Sequence, residues 1–420
     1  MKIESLKFGD IARLRKNTVK PKEIDERKYL GLEHINKESL SINSIGSSCD
    51  LESNKYEFSK DDILFGKLRP YFRKVYKPKF DGICSTDIWV VQPKDKNTYK
   101  DFLFYLMADQ KFIDFATQGA TGTRMPRADW NNVVEFKVKN FTYNEQINIS
   151  NILRGLDNKI ELNQKMNQIL EEIAKSLFKS WFIDYDPVRA KLEGRPSELS
   201  KEISDLFPDS FEDSELGEIP KGWSVKKITD IAEKISHKFK KNENWSQEKL
   251  IDLARMPINS ISLNSFGKGE ELSSSVCKFN KYDFLFGSIR PYFYKAGICP
   301  FDGVSNTSVF ILRGINTFDR EFMYFYCSSD NTFKKSIQYS EGTKMPVIKW
   351  NHFKKFCFAL PGEELRKCFS KKTNNIVKKI ISNTKEQEIL INLRDELLPK
   401  LISGELRIPD AEKLVEGIGV

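Results

Sequence analysis

Leu64 to Lys74 reads LFGKLRPYFRK, and Leu285 to Lys295 reads LFGSIRPYFYK. The two stretches agree at eight of eleven positions across an offset of 221 residues, far more than chance delivers. The register holds outward from there. Phe80-Asp81-Gly82 returns as Phe301-Asp302-Gly303, Thr86 as Thr307, Gly122-Thr123-Arg124-Met125-Pro126 as Gly342-Thr343-Lys344-Met345-Pro346, and Trp130-Asn131 as Trp350-Asn351. Asp10-Ile11-Ala12 matches Asp230-Ile231-Ala232 near the start of each copy, and Asn163 matches Asn383 near the end. One unit of about half the chain is written twice, and a repeat on this scale governs the fold before any local reading does.

Two regimes alternate within a copy. The first 140 or so residues are rich in Gly, Pro and aromatics, with short apolar runs at Ile88 to Val91 and Val309 to Leu312 that suit a mixed α/β globule. From Glu145 to about Asp184, Gly and Pro nearly vanish. There Ile149, Leu153, Leu156, Ile160, Leu170, Leu177 and Trp181 alternate by fours and threes as a coiled-coil seam, with Asn163 and Asn167 as its polar members. The second copy supplies a matching helix from Arg366 to about Leu401, with Phe369, Ile376, Ile380, Leu390, Leu397 and Leu401 on the seam and Asn383 at the place of Asn163. About 35 residues of helix span about 50 Å, the length of a spacer. Asn163 and Asn383 either pair across the seam and fix its register or face solvent.

The expected fold is therefore α/β (mixed α+β) globules plus long α-helices, with domains at 1–144, 145–196 (helical), 197–222 (connector), 223–362 and 363–420 (helical region and tail). The stretch from Ser197 to Trp223 is acidic and punctuated by Pro208, Gly217, Pro220 and Gly222, and reads as a connector; Gly404 to Val420 reads as a similar tail. In a globule–helix–globule–helix plan the second helix must return the chain, so the helices are expected to run antiparallel. A single-chain pseudo-dimer with an approximate two-fold axis results. Paired heads of that kind match two DNA half-sites about one helical turn apart or a multiple of it, and heads that differ in sequence imply an asymmetric target.

The totals agree. The 420 residues, 40% apolar and 12% aromatic, can bury more than one core. Lys and Arg number 68 against 59 Asp and Glu, a net charge of +9 that favours a polyanionic partner without proving one. No stretch approaches the roughly 18 apolar residues of a membrane span, and Met1 to Asp10 lacks the layout of a secretory signal, so a cytoplasmic protein without membrane contact is expected. The seven cysteines, Cys49, Cys84, Cys277, Cys299, Cys327, Cys357 and Cys368, have neither C-x-x-C nor histidine at ligand spacing, so buried reduced thiols and no metal are expected. His34, His237 and His352 read as surface or packed histidines. No N/D-P-P-Y methyltransferase motif and no G-x-x-x-x-G-K-[ST] loop is present, and Asp184-Tyr185-Asp186-Pro187 has the wrong order for the first.

Together with GEIPKGW at Gly217 to Trp223 and SGELRIPDAEKLVE at Ser403 to Glu416, the repeat resembles the DNA specificity subunit of type I restriction-modification enzymes over essentially the whole chain. The resemblance implies two target-recognition domains, a central and a C-terminal conserved helical region, and no catalytic residues. It implies double-stranded DNA, two methyltransferase subunits and restriction subunits as partners, in a complex that methylates adenine or cleaves. Cofactors are then expected in the partners alone (S-adenosylmethionine, ATP and Mg) and none in this chain. Two other readings stay open: a self-contained methyltransferase or nuclease with an unrecognised motif, which would bind S-adenosylmethionine by itself, and a coiled-coil scaffold that ignores DNA.

Candidate DNA-contacting residues follow from the repeated loops. Arg69 and Arg290 can meet phosphate or a guanine edge, or form a salt bridge that holds the turn; their presence in both copies favours phosphate or scaffold. Gly66, like Gly287, allows close backbone approach. Positions that differ between copies are candidates for base choice: Lys67 against Ser288, Arg73 against Tyr294, Ser85 against Asn306, Asp87 against Ser308 and Arg124 against Lys344. Thr121, Thr123 and Thr343 beside those cations suit phosphate clamping, with a plain turn as the alternative. Lys74, Lys295, Thr86 and Thr307 complete the set. Tyr71 and Tyr292 can stack or bond phosphate, although an aromatic in R-P-Y-F is more often core.

Overall fold

The computed structural model describes residues 5–417 apart from Ile24, Asp50, Ser197, Glu198, 237–243 and 274–275; His237 lies outside the described residues. The chain divides into two compact units, Met1–Lys159 with Leu390–Val420, and Ile160–Ile389. Each is described by itself.

In the first unit, strands β1 (Ala12–Arg15), β2 (Ile63–Gly66), β3 (Val75–Tyr76) and β4 (Ile88–Pro93) form an antiparallel sheet in the order β1-β4-β2-β3. The apolar run from Ile88 becomes β4, which pairs Ile88 with Gly66 and Val91 with Ile63. A second sheet takes Thr18–Val19, Lys55–Phe58, Gly82–Cys84, Lys28–Leu30 and Gly46–Ser47, in that order. The second unit repeats the plan. Its strands β5 (Ala232–Ile235), β6 (Phe284–Gly287), β7 (Ala296–Ile298) and β8 (Val309–Gly314) pair in the order β5-β8-β6-β7, and its second sheet runs Gly267–Lys268, Lys249–Leu250, Gly303–Asn306, Val276–Phe279. Topology and register are thus duplicated along with sequence.

The long helices are α1 (Tyr143–Phe182) and α2 (Glu363–Ser403). Thr142 opens α1 with a capping box: its hydroxyl accepts from the Glu145 backbone N–H while Glu145 Oε2 accepts from the Thr142 N–H. Within the first unit the start of α1 meets the end of α2, with Asp157 on Arg394 at 2.9 Å and Lys139 Nζ 3.5 Å from the Gly404 carbonyl. Within the second unit Asn167 meets Asn383, Asn163 meets Glu386, and the Trp181 and Phe369 rings lie 5.9 Å apart. The pairing is antiparallel in each, as expected.

The seam needs one correction. Ile149, Leu153, Leu156, Ile160, Asn163, Asn167 and Trp181 are buried as expected, but beyond Asn167 the inward positions are Glu171, Ala174 and Phe178, while Leu170 and Leu177 are only half-buried. On α2, Phe369, Ile380, Asn383, Leu390, Leu397 and Leu401 are buried, whereas Ile376 yields to Thr373 and Val377. A strict heptad drifts roughly 20° per repeat around an undistorted helix, so over four repeats the inward face moves by nearly one residue. Asn163 and Asn383 both face the interface, yet they do not bond each other: Asn383 bonds Asn167, and Asn163 bonds Glu386.

The connector and tail carry more structure than their composition suggested. A hairpin of Phe211–Ser214 with Gly217–Pro220 brings Ile219 and Trp223 into the core beside Trp181 and Phe182, where Phe207 also packs. The tail contains a helix over Ile408–Glu416 that buries Ala411 and Val415. In the tail helix the two buried residues stand one turn apart, so a short polar segment still presents an apolar stripe to the core. The thiols are free: Cys84, Cys277, Cys299 and Cys327 are buried as expected, Cys357 and Cys368 are half-buried and Cys49 is exposed. Among the described residues no helix is long and apolar enough to cross a membrane.

Candidate nucleic-acid interface

R-P-Y-F is not a strand. Pro70–Phe72 forms a single 3₁₀ turn flanked by two non-glycine residues in the left-handed region, Arg69 at φ 51° and Arg73 at φ 47°. Pro291–Phe293 repeats it with Arg290 at φ 50° and Tyr294 at φ 53°. Left-handed backbone costs an L-residue about 1–2 kcal/mol, so something must hold it. The Arg69 N–H donates to the Pro126 carbonyl at 2.7 Å, and the Arg290 N–H to the Pro346 carbonyl at 2.7 Å.

Those carbonyls belong to a second loop, a hairpin in each unit. Thr121 and Arg127 exchange both backbone hydrogen bonds at 2.9 Å, and Glu341 and Val347 do so at 3.0 and 2.9 Å. Gly122 and Gly342 make the reversal possible with φ of +100° and +97°. A β-carbon on Gly122 would also press on the Met125 carbonyl at 3.2 Å. The turn at Ser85–Asp87 joins them: the Lys67 N–H donates to the Asp87 carbonyl and the Ala128 N–H to the Lys67 carbonyl. In the second unit the Ser288 N–H reaches the Ser308 carbonyl and the Ile348 N–H the Ser288 carbonyl. Three loops are thus tied by main-chain bonds into one surface, once in each unit.

On this surface Tyr71, Thr86, Thr121, Thr123, Arg124 and Met125 are exposed, as are Tyr292, Thr307, Thr343, Lys344 and Met345 in the second unit; Lys67 is partly exposed. Tyr71 and Tyr292 are therefore not core residues. Each leans on its neighbouring phenylalanine with ring centroids 4.7 Å apart. Arg69 and Arg290 stand at the junction of turn and hairpin, each with a buried Nε that has no protein partner, and Arg69 Nη2 lies 3.4 Å from the Arg124 carbonyl. Neither forms a salt bridge among the described contacts, so the half-exposed guanidinium keeps donors for an outside acceptor.

Several expected contacts point inward instead. Arg73 is buried, its Nε donating to the Ala108 carbonyl at 2.7 Å and its Nη2 3.3 Å from Asp395. Its counterpart Tyr294 packs on Phe333, so this difference between copies is one of packing. Lys74 and Lys295 donate to the carbonyls of Leu32 and Leu253, and burial holds both ammonium groups below the usual lysine range. Gly66 is buried and its open side is filled by Leu32, so the glycine serves internal packing. Ser288 is buried with its hydroxyl on the Ser308 carbonyl at 2.8 Å. Ser85 and Asn306 close the same local turn, accepting from the N–H two residues on.

Asp87 is engaged as well. The Arg127 fork grips its two oxygens at 2.9 and 3.2 Å and the pair holds the Arg127 guanidinium above its ordinary range. The second copy has Ser308 and Val347 at those places, so a salt bridge was gained or lost as a pair. His34 accepts from the Gly31 N–H at 2.8 Å and packs edge-on to Tyr29, and His352 lies 3.3 Å from Glu341; both are local partners. Sequence reading passed over Met125 and Met345 as contacts, although the repeat keeps both within the matched Gly122–Pro126 and Gly342–Pro346 stretches.

The three-loop surface occurs twice on a mixed α/β scaffold with a paired-helix core, and residues 2–172 match the family model described as "Type I restriction modification DNA specificity domain". The chain is similar to type I specificity subunits: it is 26% identical to the type I restriction enzyme MjaIX specificity subunit of Methanocaldococcus jannaschii over 76% of this chain and 71% of that one. It is 25% identical to the type I restriction enzyme HindI specificity subunit of Haemophilus influenzae over 84% of this chain and 88% of that one. The crystal structure of the type I restriction-modification system S subunit from M. genitalium is similar in fold, with a TM-score of 0.52 at 16% identity, covering 95% of this chain and 96% of that chain.

Proposed function

We propose that this chain is the sequence-reading subunit of a type I restriction-modification complex and performs no chemistry itself. Residues 1–144 and 223–362 each read one half of a bipartite, asymmetric duplex target. The paired helices set the unread gap, and the chain directs partner adenine-methyltransferase and restriction subunits to that site. The observation that carries this reading is the doubled three-loop surface, whose main-chain bonds are the same in both units while the exposed side chains differ, Thr121 and Arg124 against Glu341 and Lys344. A common frame with different displayed groups suits two readers of different sequences.

A partner surface is supported separately. With the seam residues spent inside the helix pair, α1 still exposes Leu162, Met166, Ile169 and Ile173 at 55, 38, 54 and 52%. Their four-three-four spacing is that of a second, unfilled seam, and we assign it to helices of the methyltransferase subunits. The test is a domain exchange: replacing residues 1–144 by the equivalent segment of another specificity subunit and mapping adenine methylation in the host. One half of the target changes and the other stays. Both halves changing together, or neither, overturns the two-reader account.

A further inference from the structure

Met125 and Met345 are exposed large apolar side chains, at 47 and 54%. They occupy the same place in the repeat, at the tip of the Thr121–Arg127 and Glu341–Val347 hairpins. The residues around them differ between copies: Thr121 against Glu341, Arg124 against Lys344, Arg127 against Val347. Gly122, Thr123 and Pro126 are retained with it as Gly342, Thr343 and Pro346 and hold the hairpin's shape, whereas a methionine left about half exposed at the tip has no role in the core of either unit. Exposed apolar area of this kind points to something outside the chain.

The methionine is also held out on a stiff mount. On one side of Met125 the Pro126 carbonyl accepts the Arg69 N–H at 2.7 Å; on the other the Arg124 carbonyl lies 3.4 Å from Arg69 Nη2. Pro346 and Arg290 repeat the first of these bonds. The residue is thus carried on a hairpin bonded to an arginine suited to phosphate, with Tyr71 or Tyr292, also about half exposed, two residues further along that arginine's turn. A cation that seats the backbone with an unbranched apolar side chain beside it is the arrangement by which proteins press a wedge against a base step. Because the side chain has no hydrogen-bonding edge and is the same in both units, it does not distinguish letters. It senses how easily the step opens.

We propose that Met125 and Met345 are wedge residues: on binding, each inserts against a base step in its own half-site and unstacks it, so that part of the target's specificity is read as deformability, with flexible pyrimidine–purine steps favoured there. This rests on the sequence-reading function proposed above and adds a specificity residue to the same surface.

The test uses the full chain with its methyltransferase subunits and duplexes carrying the target mapped in the host, with 2-aminopurine placed in turn at each purine of each half-site. Binding of the parent complex raises fluorescence several-fold at one step in each half. Met125→Ala abolishes the rise in one half only and Met345→Ala in the other, with binding weakened about tenfold, while Met125→Leu, still a wedge, retains it. If the parent binds its target and no position brightens, or if Met125→Ala and Met345→Ala leave the brightening unchanged, the wedge is overturned while the reading function stands. If the parent complex shows no preference for the mapped target, the reading function fails and the wedge with it.

Discussion

Asn383 donates its side-chain N–H to Asn167 Oδ1 across the helix pair at 2.9 Å, and both side chains are buried. The same Asn167 reaches Ser262 Oγ at 3.0 Å and Thr384 Oγ1 at 3.3 Å, so one amide links both helices to a loop of the second unit. Truncating either partner strands a buried amide, so Asn167→Ala and Asn383→Ala each cost about 1–3 kcal/mol. Replacing both by Leu removes the pair and leaves Ser262 and Thr384 to bond each other, as they already do at 2.9 Å. Chemical denaturation should show the double Leu variant less destabilised than the sum of the single Leu variants; strict additivity would refute the coupling.

Arg394 is 1% exposed and lies against Asp157 at 2.9 Å, where the Tyr105 hydroxyl also donates at 2.7 Å. The corresponding places in the second unit are Ala174, Val377 and Phe325, all buried. Arg394→Ala alone leaves a partly buried carboxylate unpaired and should cost about 3–5 kcal/mol. Adding Asp157→Val and Tyr105→Phe transplants the apolar solution already used by the other copy and should recover more than half of that loss, measured by thermal and urea unfolding.

Asp109 is 2% exposed, and burial holds its carboxyl above the ordinary 3.8. The folded state therefore binds its proton more tightly than the unfolded one. Its contribution to stability is complete below pH 3.8 and is lost as pH rises through the raised value. Asp109→Asn puts a neutral side chain of the same size at the helix N-cap position and should be more stable than the parent at neutral pH, with the two proteins converging in acid. A pH-independent difference in urea midpoints would contradict this.

Arg69 and Arg290 are expected to meet phosphate, whereas Lys74 and Lys295 are held by the carbonyls of Leu32 and Leu253. Arg69→Ala or Arg290→Ala should reduce the dependence of log affinity on log salt by about one each. Lys74→Met and Lys295→Met should leave that slope alone and lower stability instead. Binding isotherms across salt concentrations separate the two pairs, and equal slopes for all four variants would remove the arginines from the interface.

The repeat made the architecture readable: matched motifs gave the two α/β regions, and the four-three spacing gave both helices to within three residues at either end. What stayed hidden is side-chain direction. Arg73 and Arg69 lie in one turn with similar left-handed backbone, yet one guanidinium is buried against Ala108 and Asp395 while the other is half-exposed. No periodicity separates them, because a 3₁₀ turn between two left-handed residues sets directions by tertiary bonds. The seam failed at Leu170, Leu177 and Ile376 for a different reason, the slow rotation of an α-helix against a seven-residue repeat. The differences between copies at 73/294 and 85/306 looked like choices of base, but they are substitutions within packing and turns that each copy solves in its own way.

The three reading loops are clamped through main-chain atoms: Arg69 to Pro126, Ala128 to Lys67 and Lys67 to Asp87, with the same scheme in the second unit. Amide and carbonyl groups are present whatever residue occupies a position, so the side chains at the loop tips carry little of the fold's stability. On the proposed reading, lineages descended from this chain can therefore acquire new target words by point changes at 67, 124 and 344, with no refolding between one word and the next.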